Sequence, residues 1–188
     1  MAQRKAFHER LTDVDPSRLV FLDETGAKTN MTRLYARAKK GKRALDYTPH
    51  GHWSTTTLVA ALTVQGAIAP MVLDGPMDRI CFEAYVEQVL IPTLGPGTIV
   101  VMDNLAAHKS SAIVQRLHAV GAQLWYLPSY SPDFNPIEMM WSKVKATLRS
   151  AKAHTQERLI ETIAHALEDI TPEHSHNFFR HLFVCMQY

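Results

Sequence analysis

R-L-V-F-L-D at residues 18–23, matched by T-I-V-V-M-D at residues 98–103, decides the reading of this chain. Each is a continuous apolar run closed by an aspartate, Asp23 in the first and Asp103 in the second. Alternating polarity would mark a strand with one wet face. An unbroken run marks a strand buried on both faces, inside a sheet that carries helices on each side.

The rest of the chain supplies those layers. Residues 2–12 read as a short helix with Phe7 and Leu11 on one face, broken by Asp15-Pro16-Ser17. Residues 54–65 are rich in Thr, Val and Leu and pair with residues 68–73 as a hairpin around Gly66. Tyr35 suggests a further strand in the segment after residue 23. Helical spacing recurs at Phe82, Val86, Val89 and Leu90, until Pro92 and Gly95-Pro96-Gly97 stop it. A helix over 109–120 ends at Gly121, and 123–127 forms a strand. Pro128 to Pro136 is a turn-rich connection. Helices over 136–150, 155–169 and 172–185 close the chain, the last two making up a C-terminal helical stretch over 155–187. Without repeats or linkers, residues 1–188 are expected to form one α/β domain, a mixed five-stranded sheet, not counting the possible strand at Tyr35, flanked by helices.

Composition bounds the function less than distribution does. Net charge is only +2 over 188 residues. Yet Thr25 to Leu45 holds seven basic residues and no acid: Lys28, Arg33, Arg37, Lys39, Lys40, Lys42 and Arg43. Such a run is a solvated loop or a phosphate-contacting arm, and the arm is the expectation for Arg37, Lys39, Lys40, Lys42 and Arg43. Cys81 and Cys185 have no partner spacing and fit a reducing compartment, with Cys185 in the core. No apolar stretch reaches the roughly 18 residues of a membrane helix. With no signal peptide at the N-terminus, a cytoplasmic location is expected.

A third carboxylate completes the pattern. Glu138, in N-P-I-E-M-M-W, follows Asp103 after 34 intervening residues and falls in the first turn of a helix. Two acids at strand ends and one on a later helix can converge on a pair of divalent ions, roughly 3.5–4 Å apart, that clamp a phosphodiester. Each acid also has a plain structural reading. Asp23 can initiate a turn at D-E-T-G, with Glu24 its rival for the site. Asp103 can lead into the next helix. Glu138 can close a capping box with Asn135 around Pro136. Beyond Glu138 the helix divides cleanly. Ile137, Met140, Trp141, Val144 and Leu148 form a core stripe, whereas Ser142, Lys145, Arg149 and Lys152 share the face of Glu138. Lys145 and Arg149 are therefore expected at phosphates beside the carboxylates. Trp125, Tyr126 and Tyr130 flank the loop before the third acid and read as core or as a base-stacking platform, with core the expectation. His50, His52, His174 and His176 lack the spacing of a zinc site.

D-E-T-G at 23–26, V-V-M-D-N-L-A-A-H at 100–108 and L-P-S-Y-S-P-D-F-N-P-I-E-M-M-W-S-K-V-K at 127–145 together resemble bacterial insertion-sequence transposases of the mariner-related DDE superfamily. The resemblance runs from about Arg18 to the last helices. It implies a ribonuclease-H-like fold with Asp23 on the first strand, Asp103 just after the fourth and Glu138 on a helix against the sheet. It implies Mg²⁺ or Mn²⁺, two ions, held by Asp23, Asp103 and Glu138, with Asn104, His108 and Asn135 in support. It further implies cut-and-paste transposition into short TA-containing targets. The partners would be DNA, at transposon ends and target, and a second copy of the chain on that DNA, associated with the bacterial nucleoid. Family members usually carry an N-terminal helix-turn-helix region. Only about 17 residues precede the first strand, so a catalytic domain alone is expected. A structure-selective nuclease, and a remnant that binds DNA without cutting, are the competing readings.

Overall fold

The computed structural model describes residues 2–47, 53–104 and 109–185. Five strands form one sheet: β1 (Leu19–Lys28), β2 (Thr55–Thr63), β3 (Gly66–Asp74), β4 (Ile99–Met102) and β5 (Gln123–Tyr126), in the order β3-β2-β1-β4-β5. The β1–β2 and β2–β3 pairs are antiparallel, while β1–β4 and β4–β5 are parallel. The mixed, five-stranded sheet expected from the sequence is therefore present.

Alternation along the strands sorts the side chains into two cores. Leu19, Phe21, Leu58, Ala60, Leu62, Ile99 and Val101 face one side. There they meet α4 (Ile137–Ala151), α5 (Gln156–Glu168) and α6 (Pro172–Cys185), together with Phe7 and Leu11 of α1 (Ala2–Thr12). Val20, Leu22, Val59, Ala61, Val100 and Met102 face the other side. They pack on α2 (Arg79–Tyr85), its continuation over Val86–Leu90, and α3 (Ser111–Ala119). Burial on both faces is why β1 begins and β4 persists as an unbroken apolar run.

Several ends obey local chemistry. Asp78 caps α2, its Oδ1 accepting from Cys81 N at 2.7 Å. Thr155 caps α5, its hydroxyl accepting from Arg158 N at 3.2 Å. Gly121 takes φ 75 just past α3 and donates to His118 O at 2.9 Å, as its place in the sequence predicts. Past Tyr85 the α2 helix widens into a π turn, and the Tyr85 hydroxyl donates to Ala69 O at 2.8 Å on β3.

Three expectations change. No strand forms around Tyr35; residues 33–47 have no regular structure and the Tyr35 ring lies in solvent. The D-E-T-G stretch is not a turn, because β1 continues through it to Lys28, paired with β2. The capping box is absent, because α4 starts at Ile137 with Pro136 at its cap and no side-chain capping bond. Pro136 leaves Glu138 at the second helical position, one short of the place a capping box requires. The side chain of Cys185, and His50 and His52, lie outside the described residues.

Phe179 of α6 packs edge-on against Phe21 of β1 with ring centroids 5.5 Å apart. Phe179→Ala is expected to cost about 3–5 kcal/mol by urea unfolding. Ile160→Ala, on the outer face of α5, should change stability by no more than about 0.5 kcal/mol.

Candidate active site

Asp23 and Asp103 meet because of strand register. β1 and β4 pair Leu19 with Ile99, Val20 with Val100 and Phe21 with Val101. Asp23 follows two residues later on β1 and Asp103 one residue past the end of β4, and both line one cleft. Both share the parity of Phe21 and Val101, so both lie on the α4 side. Glu24 has the opposite parity, that of Leu22 and Val20. Alternation thus separates Asp23 from its rival.

α4 brings the third acid. Its stripe of Ile137, Met140, Trp141, Val144 and Leu148 is buried against the sheet, which leaves Glu138 at the edge of that contact. Asp23, Asp103, Asn104, Asn135 and Glu138 line one cleft of about 420 Å³. Its wall includes the connection Leu127–Pro132, part of the turn-rich stretch that carries the family resemblance. His108 lies outside the described residues.

The wall is fastened from a distance. Arg4 of α1 donates to Ser131 Oγ at 2.8 Å and to Asp133 Oδ1 at 3.0 Å. The Arg4 guanidinium also lies 4.4 Å from the centre of the Phe134 ring, which stacks on Phe7. Nothing in the sequence around Arg4 signals this role, because the contact spans more than 120 residues.

The electrostatics of the cleft are adverse without a cation. Burial pushes the Asp23 carboxyl up to about 7. The Glu24 backbone N–H, donating to Asp23 Oδ1 at 2.8 Å, holds it down in part, and the charges of Glu138 and Asp103 push it further up. The Trp141 indole N–H faces Asp23 and favours its ionised form, though it is buried without a well-aligned hydrogen bond. Asn135 Oδ1 is likewise buried and unpartnered. Oxygen donors, converging acids and an orphaned amide oxygen suit a hard divalent ion. Among the described residues, no group of three or more His, Cys, Asp and Glu is arranged around a single ion.

The predicted basic residues sit apart from the cleft. Lys145 and Arg149 are half-buried on α4 and do not line it. The segment 33–47 forms an exposed arm, anchored where Arg33 donates to Ser150 Oγ at 3.4 Å and where Asp46 pairs with Lys152. Lys152 is thereby taken out of the basic stripe. At the arm's tip, Lys42 N donates to Lys39 O at 2.9 Å across a turn in which Gly41 has φ 80. Among the described residues, Arg37, Lys39, Lys40, Lys42 and Arg43 make no ion pair. His174 and His176 are engaged with backbone oxygens of their own segment. No helix among the described residues is long and apolar enough to cross a membrane.

Comparison with known proteins gives the same picture. A family model described as DDE superfamily endonuclease matches residues 18–160. The Caenorhabditis briggsae transposases of elements Tcb1 and Tcb2 are 32% and 33% identical over 83 and 85 residues. Those stretches cover 42% and 43% of this chain and 30% and 31% of the relatives, so the match spans under a third of their length. Among solved structures, a pre-cleavage Mos1 transpososome is similar at a TM-score of 0.81 and 15% identity, over 99% of this chain and 59% of that one. The Mos1 mariner paired-end complex with Mg gives 0.78 at 16%, over 99% and 58%. The catalytic domain of Mos1 mariner transposase gives 0.66 at 14%, over 99% and 87%. The ribonuclease-H-like fold expected above is thus the fold observed.

The raised Asp23 carboxyl sets a pH dependence in metal-free protein. Its folded pKa lies above the unfolded value of about 3.9, so the folded state keeps a proton that the unfolded state loses. The stabilisation is complete below about pH 4 and is lost as pH rises to about 7. Across that window wild-type stability should fall by up to about 4 kcal/mol more than that of Asp23→Asn, measured by urea unfolding in EDTA.

Proposed function

The chain belongs to the DDE superfamily of endonucleases, and from that premise we propose that it is a single catalytic domain of a DNA transposase. Its task is metal-dependent cleavage of phosphodiesters at transposon ends and transfer of the freed strand into target DNA. The observation that carries the reading is the meeting of Asp23, Asp103 and Glu138 in one cleft through strand register and the placement of α4.

Asp23 and Asp103 would hold one Mg²⁺ or Mn²⁺, and one of them with Glu138 the second. When bound, the ions supply charge neutralisation and Lewis acidity at the attacking and leaving oxygens. The chain's own residues set the geometry. β1 and β4 hold the two aspartates side by side on rigid backbone, and the buried stripe of α4 fixes Glu138. Asn135 and Asn104 offer amide groups at the cleft. The basic arm and the Lys145–Arg149 face of α4 would grip phosphates outside it, with positioning and charge doing the work. Mos1 transposase paired-end complexes, including ones with Mn and with Mg, are among the structural neighbours, which supports DNA and these ions as partners here. A second copy of the chain on that DNA is part of the same proposal.

Labelled duplex DNA tests this directly. Asp23→Asn, Asp103→Asn and Glu138→Gln should each lower cleavage at least 1,000-fold while far-UV circular dichroism stays unchanged. Strand transfer from a supplied 3′-hydroxyl end should need Mg²⁺ or Mn²⁺ and fail in Ca²⁺ or EDTA. Cleavage without any strand transfer would favour the structure-selective nuclease. Binding with neither reaction would favour the remnant.

The cationic residues give a separate measurement. Each phosphate contact removed should lower the log–log salt slope of duplex binding by about 0.9. Arg149→Ala should show this loss of slope. The Lys39→Ala, Lys40→Ala pair should weaken binding and leave cleavage of bound DNA nearly unchanged. Unaltered slopes in both variants would return these charges to solvation alone.

A further inference from the structure

The helix that carries Glu138 begins without a cap of its own. Pro136 stands at its N-cap with no side-chain hydrogen bond, and Glu138 lies in its first turn, where helix ends fray unless something outside holds them. The segment leading into it is strained as well. Tyr130, expected in the core from the sequence, is 98% exposed and has φ 57. A non-glycine residue keeps that left-handed backbone at a cost, and only where its surroundings impose it.

Arg4 supplies the outside hold. Its Nη1 donates to Ser131 Oγ and to Asp133 Oδ1, and its Nη2 donates to Asp133 Oδ2. A guanidinium fork matches a carboxylate in this two-bond geometry, which an ammonium does not. With the Phe134 ring beneath it, one side chain grips residues 131, 133 and 134 together. The grip passes on along the backbone, because Asn135 N donates to Pro132 O at 3.0 Å and Glu138 N to Asn135 O at 3.2 Å. α1 is itself firmly seated. Phe7 stacks on Phe134 with ring centroids 5.8 Å apart, Leu11 is fully buried, and the Arg10 guanidinium lies 3.8 Å from the centre of the Trp125 ring on β5. An exposed ion pair adds little to stability. Contacts converging on the segment just ahead of a cleft acid point to placement instead.

We propose that Arg4 is a positioning residue for phosphodiester cleavage. Its clasp on Ser131 and Asp133 sets the first turn of α4, and with it Glu138, relative to Asp23 and Asp103. The proposal rests on the transposase reading of the cleft. Arg4 does not line the cleft, so it acts through the loop and not on the substrate. Its loss should therefore appear in the chemical step and not in DNA affinity.

Labelled duplex DNA separates the two, with Kd from anisotropy in Ca²⁺ and single-turnover cleavage at saturating protein in Mg²⁺ or Mn²⁺. Arg4→Ala and Asp133→Ala should each slow cleavage of bound DNA about 10- to 100-fold, with Kd unchanged. The double variant should be no slower than the slower single one, because either change opens the same clasp. Circular dichroism establishes that each variant is folded. Should Arg4→Ala not fold, Asp133→Asn, which keeps the shape of the side chain, carries the same expectation of slower cleavage at unchanged Kd. Cleavage of bound DNA at the wild-type rate, rate losses that multiply in the double variant, or a loss confined to Kd would overturn the positioning role alone. Wild type that cleaves no duplex in either metal would overturn it together with the reading of the cleft.

Discussion

The fixed register between β1 and β4 is the constraint on which the rest of this molecule depends. Parallel strands offset by a constant 80 residues bring two aspartates to one level on one face. That geometry forces carboxylates together where their charges repel and burial penalises ionisation. The stability to tolerate it comes from elsewhere. Two apolar layers close over the sheet, with Trp141, Phe21, Leu58 and Leu62 fully buried beside the acids. The cleft therefore stores unfavourable electrostatics that a divalent cation would relieve.

How far the sequence disclosed this depended on the range of the interaction involved. Asp23, Asp103 and Glu138 were legible because each sits beside a strong periodic signal: two apolar strands and an amphipathic helix. The five-strand sheet followed from the same periodicity. Misreadings arose where tertiary pairing overrode local preference. D-E-T-G has turn chemistry, but β2 supplies a full antiparallel partner and holds it extended to Lys28. Tyr130 reads as core by hydrophobicity, but a neighbouring proline-rich wall turns it outward. Arg4 was invisible because its partners at Ser131 and Asp133 are assembled only by the fold. The separation of Asp23 from Glu24 needed only strand parity, but parity has no meaning until the register is known.

The arm at 33–47 and the helix α4 form a second system, joined to the first through Glu138. Arg33 and Asp46 fasten the two ends of the arm to Ser150 and Lys152 at the far end of α4. The arm's tip, with its unpaired lysines, is free of such contacts among the described residues. Cationic charge is thus carried on an exposed arm whose base is anchored to the same helix that holds an acid in the cleft. Exposed pairs of this kind contribute little to stability. Their value here is geometric, because they set where the arm leaves α4.

The placement of α1 has a practical side. Gln3, Ala6 and Arg10 line a second hollow of about 290 Å³ that shares Asn104, Leu127 and Pro128 with the main cleft. Arg4 clasps the cleft wall itself. Anything joined ahead of this helix, whether an affinity tag, a fluorescent protein or a fused DNA reader, emerges at the doorway of the chemistry. A short tag there would compete with substrate for space. A long-range targeting module attached at that point would deliver its cargo where it is used.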